Sequence, residues 1–287
     1  KFYDLKEFQA PTINPDEPEE LTDEEKILLK KLLKNFKASQ KLKQHIDFLL
    51  EKGSMYLSYN GNLLIHGCLP LHENGDFKCF RLEGEAYSGR ELLDLFEYHV
   101  RKSLAHPDRE EDLSTDLLWY LWVGESSSLF GKEAMTTFER YYIADKATHV
   151  EKKNPYYQLR ENPETISRIL KNFGMDEKGH IINGHTPVKE RKGEAPIKAG
   201  GKLIVIDGGF SKPGYTLLYN SYGMQLAAHE PFKTIKAAVE EGSDIVSVKR
   251  LVDRVEKRTC VKDTNIGKEF LKTIEDLEYL FENYEKY

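Results

Sequence analysis

Hydrophobic positions along this chain follow two rhythms, one helical and one alternating. From Thr22 to Lys52, Leu28, Leu32, Phe36, Ile46 and Leu49 recur at helical spacing, with Lys and Glu filling much of the rest. Thr22 followed by Glu25 is a capping-box signature and Gly53 a suitable residue just past the end. Residues 22–52 therefore predict one long amphipathic helix, or two with a break near Ala38-Ser39. Met55–Tyr59 alternates as a strand does, Asn60-Gly61 is a strong hairpin signal, and Leu63–Ile65 reads as the returning strand. A short strand is expected at Phe77–Leu82, then a helix over 89–104 with Leu92, Leu93, Leu95, Phe96 and Val100 on its apolar face. Leu117–Trp122 reads as an aromatic-rich core segment, and 132–144 as a short helix with Met135, Phe138 and Tyr142 on one side. Asn162-Pro163 opens a cleaner helix, striped by Ile166, Ile169, Leu170 and Phe173 and ended by Gly174.

Strands are expected at Gly179–Asn183, at Lys202–Ile206 and across 214–228, where Tyr215, Leu217 and Tyr219 alternate. The last helix runs from about Ile266 to Tyr284 with Phe270, Leu277, Leu280 and Phe281 facing inward. Helix, turn, strand and then a polar loop is the order of an α/β, or α+β layered, protein. The divisions read as an arm over 1–21 carrying Pro11, Pro15 and Pro18, the helix of 22–53, a main domain over 54–232 and an accessory segment over 233–287. No internal repeat is evident.

Composition narrows the function classes. The chain has 287 residues, 39% hydrophobic and 31% charged, with a net charge of −6, so neither a nucleic-acid backbone nor an anionic membrane is an expected partner. No apolar run approaches the ~20 residues that span a bilayer, and the start, Lys1-Phe2-Tyr3-Asp4, does not resemble a signal peptide. Three widely separated cysteines, Cys68, Cys79 and Cys260, argue for a reducing, cytoplasmic location. The chain begins at Lys1 with no Met before Met55, which leads us to expect part of a longer or processed protein.

The candidate chemistry sits at strand ends. Asn62-Leu63-Leu64-Ile65-His66-Gly67 and Ile181-Ile182-Asn183-Gly184-His185-Thr186-Pro187 share one form: an apolar run ending in a His beside a Gly. Imidazole is the commonest metal-ligating side chain, so His66 and His185 are candidates to share an ion; the plain alternative is that each caps its strand. Asp207 ends a third apolar run and can ligate, orient a His or simply close the strand, and Cys68 is either a metal neighbour or a small buried residue. The acidic loop His106–Asp112 reads as solvated charge. Gly124–Lys132 invites a phosphate-loop reading and fails it, because six residues separate Gly124 from Gly131 and Glu133 follows Lys132. Its hydroxyls and Lys132 remain candidates for phosphate contact, as do Arg140, Lys189 and Arg191, each weighed against an ordinary surface charge.

His66-Gly67-Cys68-Leu69-Pro70, Leu118-Trp119-Tyr120-Leu121-Trp122, Phe130-Gly131-Lys132 leading to Met135–Tyr142, Asn183–Val188 and Ile206-Asp207-Gly208-Gly209-Phe210 together resemble the class III fructose-1,6-bisphosphatase family of Firmicutes, within the calcineurin-like metallophosphoesterase superfamily. The resemblance runs from about Thr22 to the C-terminus. It implies the C-terminal half of a metallophosphatase β-sandwich flanked by helices. His66 and His185 would be ligands to one ion of a dinuclear site, manganese favoured, with fructose 1,6-bisphosphate losing its 1-phosphate in gluconeogenesis. The superfamily's Asp-x-His, Gly-Asp-x-x-Asp-Arg and Gly-Asn-His motifs are absent from residues 1–60. The resemblance thus implies an incomplete site, no catalytic residue in this chain, inactivity alone and an N-terminal half as partner. The alternatives are another phosphomonoester or phosphoprotein substrate, or a non-catalytic fragment that oligomerises through the 22–52 or C-terminal helix.

Overall fold

The computed structural model describes residues 3–6, 10–109, 111–189, 193–207, 214–229, 234–240 and 246–286. The first long pattern forms two helices, α1 (Asp23–Ala38) and α2 (Gln40–Lys52). The capping box is present: the Glu25 N–H donates to Thr22 Oγ1 at 3.3 Å and the Thr22 N–H to Glu25 Oε2 at 2.9 Å. The break falls at Ser39, whose backbone is extended and whose Oγ caps α2 through the Leu42 N–H. Gly53 ends α2 as the cap itself, in an extended rather than a left-handed conformation. Neither helix buries a residue among those described, so their apolar positions, Ile27, Leu28, Phe36 and Phe48 among them, stand exposed.

Next comes a hairpin, β1 (Tyr56–Tyr59) and β2 (Asn62–Ile65). Its two turn residues, Asn60 and Gly61, have φ of 48° and 77°, the paired positive values of a tight hairpin turn. The strand expected at 77–82 shrinks to β3 (Phe80–Leu82), paired with β4 (Glu85–Tyr87). Phe77 is bridged to Leu71 instead. Then follow α3 (Gly89–Ala105), α4 (Leu113–Val123), α5 (Thr137–Tyr142), α6 (Tyr156–Leu159) and α7 (Pro163–Asn172). The helix expected over 132–144 is thus confined to its last turns. Asn162 caps α7 with its side chain and Pro163 occupies the first turn, where a missing N–H costs nothing.

The remaining elements are β5 (His180–Asn183), β6 (Ile197–Lys198), β7 (Leu203–Val205), β8 (Tyr215–Asn220), β9 (Gly223–His229), α8 (Ile235–Glu240), β10 (Val246–Arg254) and α9 (Asn265–Asn283). Five strands form one sheet in the order β1-β2-β5-β7-β6, with β2, β5 and β7 parallel at its centre. Both faces of those three strands are covered, which explains their unbroken apolar runs. On one face Leu63, Ile65, Ile181, Leu203 and Val205 pack with Ile166, Ile169 and Leu170 of α7. On the other, Ile182 and Ile204 pack with Met224 and Leu226 of β9. β9 is the middle strand of an antiparallel three-stranded sheet whose outer strands are β8 and β10, so the segment after 233 supplies a strand to it. The α/β class is as expected.

Two expectations about burial fail. In α4, Leu117 and Leu121 pack against Leu92 and Phe96 of α3, but Trp119 and Trp122 lie on the opposite side, 69% and 68% exposed. Aromatic density alone gives no facing; the structure sets it by the four-residue spacing of Leu117 and Leu121, which turns both to α3. In α9, Phe270, Leu277, Leu280 and Phe281 are exposed, and only Gly267 of that helix is buried. Its first turn is docked by a reciprocal pair of 2.9 Å hydrogen bonds: the Asn60 N–H to Asn265 Oδ1 and the Asn265 N–H to Asn60 Oδ1.

Candidate metal centre

Because β2 and β5 run parallel with Ile65 opposite Asn183, residues just past their ends emerge at the same sheet edge. The carboxyl ends of parallel strands are where α/β proteins place ligands, since the chain must leave the sheet there and its side chains face open space. His66 and His185 emerge at that edge with His66 Nε2 and His185 Nδ1 3.0 Å apart and ring centroids 4.8 Å apart. β7, next in the sheet, delivers Asp207 to the same end, and its charge acts on both imidazoles. His185 has φ of 65°, a left-handed backbone rare for a residue with a β-carbon. Such strain persists where the surroundings over-determine it.

Asn183 is part of those surroundings, and the sequence reading passed over it. It is 0% exposed at the end of β5. Its Nδ2 donates to the Gly67 carbonyl at 2.6 Å and to the His66 carbonyl at 3.4 Å, while its Oδ1 accepts from Tyr156 Oη at 3.4 Å and Arg160 Nη1 at 3.3 Å. The Gly184 N–H adds a 2.9 Å bond to the His66 carbonyl. One buried amide thereby locks the backbone carrying His66 to the strand carrying His185. The available signal was a polar residue ending an otherwise apolar strand.

Both imidazoles titrate below the usual histidine range. Desolvation is the main cause for each; the neighbouring His185 adds to it for His66, Lys132 and Lys153 add to it for His185, and Asp207 opposes it for both. The neutral form, the one that ligates metal, is therefore favoured near pH 7. His185 also hydrogen-bonds the Phe130 backbone, the kind of outer contact that orients a ligating imidazole. Two nitrogens on one ion at about 2.1 Å each lie roughly 3.0–3.4 Å apart, from right-angled to tetrahedral arrangements. The observed separation matches that, and equally forms an imidazole–imidazole hydrogen bond when no ion is present. Among the described residues no group of three or more His, Cys, Asp or Glu side chains is placed to hold a metal. The donor set present, two imidazole nitrogens within reach of each other, fits a metal as ligands.

The loop Gly124–Lys132 packs beneath the histidines and is no surface phosphate loop. Ser127 is buried; its hydroxyl donates to the Leu121 carbonyl and accepts from the Leu129 and Phe130 N–H groups. Cys68 is a buried residue: desolvation pushes its thiol up to about 12, which keeps it protonated and poor as a ligand. Gly67 is required by close approach. A β-carbon there would stand 3.0 Å from the Ser128 carbonyl oxygen and 3.3 Å from His185 Cβ and Cγ. Gly67→Ala is expected to cost about 1–3 kcal/mol in thermal unfolding and, by displacing the His185 ring, roughly 10-fold or more in metal affinity.

The expected phosphate-binding cations are dispersed. Lys132 and Arg140 both pair with Glu151, Lys132 at 2.5 Å and Arg140 at 3.3 Å, and Arg140 Nε donates to Thr136. Their charge is committed to that carboxylate, which is held low in pKa chiefly by its hydrogen bond with Lys132. Lys189 lines a pocket beside Thr186. Arg191 lies outside the described residues, as do Gly208, Gly209 and Phe210.

Comparison with known proteins bears on this geometry. A family model described as Firmicute fructose-1,6-bisphosphatase matches residues 1–286. A class 3 fructose-1,6-bisphosphatase of Lactococcus lactis subsp. cremoris is 68% identical over 293 residues, covering 99% of this chain and 46% of the relative. Proteins of the same name from Staphylococcus epidermidis and Streptococcus agalactiae are 56% and 53% identical, covering 98% and 99% of this chain and 44% and 46% of theirs. The chain thus spans about half the length of the curated relatives it matches. No solved structure matches. With the whole described sheet and its two histidines inside the matched region, the chain belongs to the Firmicute fructose-1,6-bisphosphatase family.

Proposed function

We propose that this chain is the C-terminal portion of a metal-dependent phosphatase that hydrolyses fructose 1,6-bisphosphate to fructose 6-phosphate and phosphate, a gluconeogenic reaction, and that it is inactive alone. The observation that carries the metal is the 3.0 Å approach of His66 Nε2 and His185 Nδ1 at the ends of adjacent parallel strands. The names of the relatives supply the substrate. Catalytic metal sites generally use at least three protein ligands, and two imidazoles fall short of that. We place the remaining ligands in the length that the relatives possess and this chain does not. A calcineurin-like dinuclear site in a two-sheet scaffold accords with β9 packed against the five-stranded sheet. Manganese suits imidazoles mixed with carboxylates. Three free cysteines accord with a cytoplasmic setting, and no described helix is long and apolar enough to cross a membrane.

Phosphate monoesters are among the slowest molecules to hydrolyse unaided. Bound divalent ions supply a water of lowered pKa and neutralise charge on the phosphoryl oxygens. The chain's own residues have narrower tasks. His66 and His185 offer two ring nitrogens 3.0 Å apart, near enough to serve one ion. Asn183 fixes the backbone of the first relative to the strand of the second. Phe130 orients the His185 ring through its backbone. The test is phosphate release from fructose 1,6-bisphosphate by this chain alone and after co-expression with the remaining length of a relative. Silence alone and activity together support the proposal, whereas turnover by this chain alone refutes the incomplete site. A phosphoprotein hydrolysed in preference to the sugar would overturn the substrate instead.

A second reading, assembly of copies without catalysis, is favoured by the exposed apolar positions of α1, α2 and α9. Light scattering separates the two: a dimer that binds no metal supports assembly.

A further inference from the structure

We propose that the pocket formed by Lys153, Arg160 and Lys189 seats the phosphate group that is not hydrolysed when a sugar bisphosphate lies at the His66–His185 pair. This rests on the phosphatase reading and assigns it a subsite.

The pocket, of about 570 Å³, opens beside the histidine loop: Thr186, the residue after His185, lines it together with Lys152, Lys153, Tyr157, Arg160 and Lys189. Lys153 links the two places, since its charge acts on the His185 ring from a strand-like bridge with Lys132. Three cations converge here. Lys189 and Arg160 both act on the Lys153 ammonium, and among the described residues no carboxylate forms an ion pair with it. Two carboxylates, Glu73 and Glu194, also line the pocket, each paired with a cation of the same wall, which leaves Lys153 and Lys189 as its ammonium groups without an ion pair among the described residues. Glu73 faces Lys152 at 3.8 Å. Glu194 accepts from Arg160 Nη2 at 3.3 Å, from Lys198 Nζ at 3.3 Å and from the Lys189 backbone N–H at 3.0 Å.

Arg160 braces the cluster from within the protein. Its side chain is 3% exposed, with Nη1 donating to Asn183 Oδ1 and Nη2 to Glu194 Oε1, each at 3.3 Å. Its charge adds to that of Lys153 and Lys189. The guanidinium and the Lys153 ammonium each lie 5.1 Å from the Tyr157 ring centroid, so one aromatic ring packs against both cations. Two ammonium groups and a planar guanidinium around one concavity suit a phosphate dianion, whose oxygens accept several charge-assisted hydrogen bonds at once. They suit neither a neutral sugar nor a cation. Lys132 and Arg140, bound to Glu151, are replaced in this role by Lys153, which stands with Lys189 in the pocket wall.

The experiment is calorimetric titration of this chain, without metal, with fructose 6-phosphate, fructose and inorganic phosphate. Fructose 6-phosphate is expected to bind and fructose not, with inorganic phosphate competing for the same site. Lys153→Gln and Lys189→Gln should each weaken fructose 6-phosphate at least 10-fold, Lys153→Arg should retain most of the binding, and the remote Lys43→Gln should change nothing. Equal binding by Lys153→Gln and the parent chain, or no binding of fructose 6-phosphate at all, overturns the subsite. Manganese titration of the same samples keeps the two ideas apart. A subsite failure leaves manganese binding sensitive to His66→Ala, whereas a failed metal assignment leaves Lys153-dependent phosphate binding without it.

Discussion

Asn183→Ala is expected to destabilise the chain by about 3 kcal/mol and to loosen the histidine pair at the same time. The substitution removes a fully buried amide and strands what it served: the Gly67 carbonyl, the Tyr156 hydroxyl and Arg160 Nη1. Each buried polar group left unpaired costs about 1–3 kcal/mol, and partial relaxation keeps the total below their sum. The site is affected because the lost bonds include those from β5 to the His66–Gly67 backbone. Asn183→Asp separates the two effects. It keeps an acceptor for Tyr156 and Arg160 but can no longer donate to Gly67 while ionised. Chemical denaturation measures the stability, and the histidine ring resonances report whether His66 and His185 still face each other. A change below about 0.5 kcal/mol, the range of an ordinary surface substitution, would show that the amide is not the clamp described.

Phe96→Ala is expected to cost more, about 3–5 kcal/mol, and to leave the histidine pair in place. Phe96 is 0% exposed on α3, with ring centroids of Phe80 and Tyr120 at 5.4 and 6.3 Å. It belongs to the cluster of Leu92, Leu117 and Leu121 that joins α3 to α4. The histidine-bearing strands belong to other clusters, centred on Leu63, Ile181 and Leu203 on one face and Ile182 and Ile204 on the other. The loss should therefore appear in thermal unfolding with little change in metal affinity. Loss of metal binding in a Phe96→Ala chain that still folds would mean that the α3–α4 pair positions the site.

What could be read from the residues follows from how locally each feature is determined. The capping box at Thr22, the turn at Asn60-Gly61 and the Asn162-Pro163 start of α7 all appear in the structure, because each is a contest between neighbouring backbone groups that a few residues decide. The meeting of His66 and His185 was legible for a related reason: two apolar runs of like form, each ending in Gly-flanked His, need only lie parallel to bring their ends together. Facing was not legible where hydrophobic residues exceed what the described core can cover. α9 has a clear apolar stripe, yet Phe270, Leu277 and Phe281 are exposed, since periodicity states that a face seeks cover and not that cover is present. Ion pairing escaped the reading as well. Lys132 and Arg140 looked available for phosphate because nothing local reveals Glu151, which the fold brings to both. Arg160 and Lys153 went unmarked for the converse reason: only the packing of α6 against the histidine loop shows their charges converging.

Substoichiometric manganese added to the chain, with histidine ring resonances followed by NMR, tests the shared ion most directly. Paramagnetic broadening should reach the rings of His66 and His185 together, before those of His99 and His180, and should vanish from the remaining ring when the other is replaced by alanine. Broadening of one ring without the other, or of neither, would contradict a common ion held between these two strands.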